Sequence, residues 1–251
     1  MQKFIKTEFI KEKKSANFKL VKIVPLIFVI FTSFVSLFMV PATNAQSYLF
    51  AAAFNWYPLL ILPIVLSLLV ANITSKEKIY QKNLYKSLGI DAGKMTWAKA
   101  VVVLAHLLVI LLLSTLLLFL VGRFVLGDSI NFMETLKASI LTFIGSMPII
   151  GLSFLLMVLF NKGFVVILIN FILSIVSPLV AVNDLWLAFP HSYSLRMLAS
   201  AAHIHPNGTF LEAGSPLLNP NSIYVGVALS VGVFVLALIL ASVVSKRMQD
   251  D

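Results

Sequence analysis

The chain has 251 residues, 60% of them hydrophobic and only 12% charged, with a mean hydropathy of +1.00 and a formal net charge of +9. A soluble domain carries about twice that charged fraction, so lipid must be the solvent for most of this surface, and a soluble globular fold is excluded. Cysteine is absent, which removes disulfides, thiolate metal sites and a thiol nucleophile from this chain. The positive excess lies beside apolar stretches, where it meets anionic lipid and orients the chain, and it does not point to nucleic acid.

Residues 1–22 hold seven lysines against Glu8 and Glu12. Phe4, Ile5 and Phe9 share one helical face while Ile10 falls off it, which predicts an interfacial helix with lysines reaching toward headgroups. A first span follows at residues 23–40. After it, Thr43 and Ala45 loosely imitate a signal-peptidase site, but the long basic leader favours a retained span. The second span, residues 55–73, opens with Trp56 and Tyr57 placed as interfacial anchors. Pro58 and Pro63 should bend its outer half.

A hydrophilic island, residues 75–99, separates the second span from the third. It carries six lysines against Glu77 and Asp91. On a helix Tyr80, Leu84 and Leu88 form one apolar stripe, and Lys78, Lys82 and Lys86 line the roughly opposite face. Gly89 should end that helix. Two readings stay open at this point: a two-faced helix for docking a partner, or a solvated loop whose lysines only set topology.

The third span, residues 100–121, contains His106. The fourth, 140–160, holds Gly145, Pro148 and Gly151 and is expected to be kinked and closely packed. The fifth, 164–182, contains Asn170 and Pro178, and the sixth is 223–244. His106 and Asn170 read as polar groups that hydrogen-bond across helices, because polar groups at membrane depth face protein or a cavity. Six spans of about 18–22 residues suit the hydrocarbon thickness. Between the fifth and sixth, residues 183–222 are too apolar for a free loop and too short for a span. Short helices dipping into the outer leaflet are predicted there, covered by protein.

Lysine and arginine alternate without interruption. Seven lie in the N-terminal segment, six in the island, one at Lys162 and two in the C-terminal tail, against only Arg123, Lys137 and Arg196 in the other loops. Both termini and the island are therefore expected in the cytoplasm.

Chemistry is sparse. His191, His203 and His205 lack the ligand count and spacing of a specific metal site, so polar loop residues are the simpler reading. The nearest approach to a phosphate loop, GIDAGKM at 89–95, is one residue short between its glycines, and Met95 stands where Ser or Thr is needed. No span carries a central Asp or Glu, which counts against a proton- or sodium-coupled carrier and, with no nucleophile, against an intramembrane enzyme. No cofactor is expected in this chain, and ATP would be bound by another subunit.

A short basic helix bearing TEFIKEKK, six spans and cytoplasmic termini resemble the ABC-2 type permeases of bacterial exporters. The island is similar to their cytoplasmic pattern at Glu77, Leu84, Ser87–Leu88 and Lys99. There the resemblance implies a coupling helix against an ATPase, with Glu77, Tyr80, Leu84, Leu88 and Lys99 as coupling residues. More narrowly, EFIKEKKS, FNWYPLLILP at 54–63 and LWLAFPHSYSLRM at 185–197 are similar to permease subunits of lantibiotic immunity exporters. Tyr57 departs from their usual FNWW, and Pro190–His191 from their usual proline–tryptophan pair.

The resemblance implies an all-α membrane protein with one permease domain over residues 1–251, paired with a second permease and two copies of an ATPase. Its cargo would be a lanthionine peptide expelled from the producer's membrane. Trp186, Phe189 and Tyr193 offer amphipathic rings on the outer side, either as cargo contacts or as an interfacial belt. A membrane sensor or scaffold that binds such a peptide without transport, or an ABC-2 exporter of another hydrophobic substrate, is the alternative.

Overall fold

The computed structural model describes residues 1–39, 47–77 and 79–250. The signal-peptidase-like Thr43 and Ala45, the end of the first predicted span at residue 40, and Lys78 lie outside them. The described residues are all-helical, with one isolated antiparallel bridge between Ile204 and Phe210.

The basic leader breaks earlier than expected. Helix α1 runs Gln2–Glu12 and α2 runs Ala16–Ser36. Lys14 adopts φ 65° between them, and the Ser15 hydroxyl accepts the Phe18 amide at 3.2 Å, capping α2. Residues 16–22 thus belong to the first span. The face of α1 that meets the protein is the one bearing its two acids. Glu8 and Glu12 are buried while Phe9 and Ile10 are exposed, because the two acids find lysine partners inside.

The second span is built from α3 (Tyr48–Phe54), α4 (Trp56–Leu60) and α5 (Leu62–Thr74), with a 48° bend between its halves. The bend falls between Pro58 and Pro63, neither of which has an amide to give the helix ladder. Just upstream, Asn55 leaves helical geometry, and its side-chain amide donates to the carbonyls of His205 at 3.1 Å and Pro206 at 2.9 Å. The second span is thereby tied to the segment before the sixth.

After α6 (Ile79–Ser87) come the long helices α7 (Ala92–Phe124), α8 (Phe132–Phe160), α9 (Gly163–Ala181) and α11 (Asn221–Asp250). Asp91 caps α7 through the Lys94 amide at 2.9 Å, and Asn131 caps α8 through the Met133 and Glu134 amides. Among the described residues five helices are long and apolar enough to cross a membrane singly, and the bent pair, taken as one broken span, brings the number to six.

Helix α8 lies at the centre and packs against α5, α7, α9 and α11. It also packs against α10 (Tyr193–Ala202), which is buried over most of its length between the spans. Gly145 makes that entry possible, since a Cβ there would stand 2.7 Å from the Cα of Ser194. The expected close packing of the fourth span is thus against this short inserted helix at Gly145 and against α11 at Gly151, where a Cβ would stand 3.0 Å from the Phe234 carbonyl oxygen.

Asn170 is fully buried and does join helices. Its amide donates to Ser67 on α5 at 2.8 Å and to Ser153 on α8 at 2.9 Å, while its carbonyl oxygen faces His191 Nε2 at 3.1 Å. His106 does not do the same. Its Nδ1 is buried with no partner among the described residues.

Candidate functional site

The four basic segments converge on one end of the bundle. Helix α1 is bonded to Lys76 and Glu77, the start of α7 is bonded to the last turn of α11, and Asn161 lines a cavity there together with Glu77, Lys86 and Gln249. The other end gathers residues 47–50, 129–138 and 201–210. The two sets of loops separated by the lysine and arginine count thus occupy opposite ends of the structure.

At the basic end three carboxylates and three lysines form an ordered network. Glu77 accepts from Lys99 at 2.7 Å and from Lys11 at 2.9 Å, Lys11 also pairs with Glu8 at 2.6 Å, and Lys76 pairs with Glu12 at 2.5 Å. Burial by itself would raise the Glu77 pKa, but Lys99 and then Lys11 outweigh it and hold the carboxyl below its ordinary range. Burial likewise works against the Lys11 ammonium, and Glu8 and Glu77 together raise its pKa above the ordinary value.

Two of the expected coupling residues lie mostly inside. Glu77 and Lys99 are each about nine-tenths buried and paired with one another, so they hold the entry to α6 from within. The surface belongs to the apolar stripe. Tyr80, Leu84 and Leu88 are 64%, 53% and 64% exposed, on a helix with nothing packed over that side among the described residues. Gly89 ends α6 as expected, with φ +64°, its amide bonding the Lys86 carbonyl and the Ile90 amide reaching back to Tyr85 at 2.9 Å.

The opposite side of α6 roofs a cavity of about 450 Å³. Asn83, Tyr85 and Lys86 face it from above, Met95 and Lys99 from α7, and Phe154 and Met157 from α8. Helix α6 thus covers the cavity with part of its underside and also touches α11. Tyr85 adds one tie near the middle, with the Lys11 ammonium 5.3 Å from its ring centre.

At the other end, residues 183–222 form the short helices foreseen from composition: 3₁₀ turns at Asp184–Ala188, Pro190–Ser192 and Pro216–Leu218, together with α10. The three aromatic candidates are not equivalent. Trp186 and Tyr193 are 5% and 1% exposed, meet edge to face at 6.1 Å, and the Tyr193 hydroxyl donates to the Leu187 carbonyl at 2.9 Å. They pack the fold and offer no free ring, whereas Phe189 is half-buried and Leu185 and Leu187 are exposed. The three histidines are dispersed. His191 is buried beside Asn170, with burial pushing its pKa down to about 4, while His205 Nδ1 accepts the Asn207 amide and His203 is exposed.

A bundle of long apolar helices with an amphipathic helix exposed at its basic end defines a multi-pass membrane protein. The model of the ABC-2 family transporter proteins matches residues 4–177, more than half of the chain, and the chain belongs to that family. It is thus a transport membrane subunit whose family works with an ABC ATPase partner. The match ends within α9, so α10 and α11 lie beyond it. No curated protein and no solved structure gives a significant match.

Proposed function

We propose that this chain is the permease subunit of an exporter that removes a lantibiotic-type antimicrobial peptide from the bacterial cytoplasmic membrane and so protects the cell. It pairs with a second, different permease and with two copies of a separate ATPase. Both termini and α6 lie in the cytoplasm, as the lysine and arginine distribution favours. The observation that carries the reading is the apolar stripe of Tyr80, Leu84 and Leu88, exposed on a helix braced from behind by buried ion pairs. Such a stripe on the ATPase side is suited to a groove on that subunit.

The cargo is supported by the likeness of EFIKEKKS, FNWYPLLILP and LWLAFPHSYSLRM to lantibiotic immunity permeases. A cationic peptide lodged in the outer leaflet would meet Leu185, Leu187 and half-buried Phe189 first, since Trp186 and Tyr193 face inward. The test is Leu84→Asp in the native host. Seating Leu84 in a groove contributes roughly 1.5–3 kcal/mol, so the variant should insert normally, lose ATPase co-purification by at least about tenfold, and leave cells sensitive to the peptide. An intact complex with full resistance would refute the docking role. Full resistance without any ATPase would favour a non-transporting peptide sensor.

A further inference from the structure

The exit of α6 is held by a residue that neither the sequence pattern nor the family match singles out. Gln249, in the last turn of α11, lies across the chain from the joint between α6 and α7. Its side-chain amide donates to the Ile90 carbonyl at 2.8 Å, and its side-chain oxygen accepts the Ala92 amide at 3.1 Å. Both groups have a specific need. Ala92 opens α7, so its amide has no partner within that helix. Asp91 satisfies the Lys94 amide and leaves Ala92 to Gln249. Ile90 already gives its own amide to Tyr85 to close α6, so this one residue is bonded on one side to α6 and on the other to α11.

The backbones approach closely at the same place. A Cβ on Gly93 would stand 3.5 Å from both the Cβ and the carbonyl oxygen of Ser242 on α11. Helix α6 meanwhile spans the 450 Å³ cavity, whose lining includes Ser245, Met248 and Gln249. Helix α6 also touches α11 directly, and a side-chain fastening stands at each of its two ends. One end is the Glu77 ion pairs to α1 and α7, and the other is the Gln249 clamp to α11.

We infer that Gln249 is a positioning residue that fastens the exit of α6 to the last span, so that displacement of α6 is passed to α11 as well as to α7. The inference rests on the reading of α6 as the ATPase-docking helix. It assigns α11, outside the family-matched region, a direct part in coupling.

The experiment compares Gln249→Met, of similar length without the hydrogen bonds, Gln249→Glu, which keeps the acceptor for Ala92, and Leu84→Asp, in the complex with its ATPase. Hydrogen exchange is followed with and without ATP and vanadate. In Gln249→Met the Ala92 amide should exchange about tenfold faster, the ATPase should stay bound, and the ATP-dependent change in exchange should persist in α6 but vanish from residues 240–249. Gln249→Glu should restore Ala92 protection. Unchanged Ala92 exchange in Gln249→Met, or an ATP-dependent change in α11 that survives the loss of the clamp, would overturn the inference. Failure of the docking reading shows separately, as a Leu84→Asp complex that remains intact.

Discussion

Replacing Glu77 by Gln tests whether the buried ion pairs hold the entry of α6. The substitution preserves shape and one acceptor but removes the charge that faces Lys99 at 2.7 Å and Lys11 at 2.9 Å. Breaking a buried pair by removing one partner costs about 3–5 kcal/mol. Here the retained acceptor and the partial exposure of Lys11 reduce this to roughly 2 kcal/mol. That loss falls on the attachment of residues 75–91 and leaves the spans in place. Amide exchange across α6 should therefore quicken by about 30-fold, with little change in the α8 core.

The pH dependence has a definite sign. Glu77 is held below its ordinary value of 4.5, so its stabilisation is complete above that pH and fades as pH falls through the lowered folded value. Lys11 is held above its ordinary 10.5, so its stabilisation is complete below that pH and fades as pH rises through the raised folded value. Protection of α6 in the wild type should be flat between these limits and fall outside both. Equal exchange in Glu77→Gln and wild type at pH 7 would refute a bracing role for the network.

Two further predictions concern topology and packing. In this cysteine-free chain, cysteines placed at exposed Leu84 and Asn207 should label from opposite sides of intact cells, Asn207 from outside. Labelling of both from one side would remove the orientation argued from lysine and arginine. Gly145→Ala forces a methyl to within 2.7 Å of the Ser194 backbone, where no flexible side chain can yield. It should destabilise the fold by about 1–3 kcal/mol and lower Tm by several degrees, roughly 2–4 °C per kcal/mol. An unchanged Tm would show that α10 does not hold this position in the membrane.

What the sequence determined by itself was whatever follows from local composition and period. Apolar runs longer than 18 residues have few alternatives to spanning, so the six spans were legible. The expectation of which loops face the cytoplasm rested on lysine and arginine alone. Pro58 and Pro63 foretold the bend in the second span, Gly89 the end of α6, and the period-four spacing of Tyr80, Leu84 and Leu88 the stripe that the structure leaves exposed. These are short-range effects: backbone sterics, missing amides and helical periodicity.

The tertiary structure decided which groups those elements spend on each other. Glu77 and Lys99 looked like surface charges, and Trp186 and Tyr193 like interfacial rings, because side-chain type carries no information about the neighbour across the bundle. Glu8 and Glu12 appeared as minor acids in a basic leader, yet they form the buried face of α1: Lys76, 64 residues away, comes to meet Glu12, and Glu8 pairs with Lys11 on its own helix, which in turn reaches Glu77. Gln249 carried no signal at all in a polar tail. Its two hydrogen bonds reach backbone groups 157 and 159 residues distant, a pairing that exists only once α7 and α11 stand side by side.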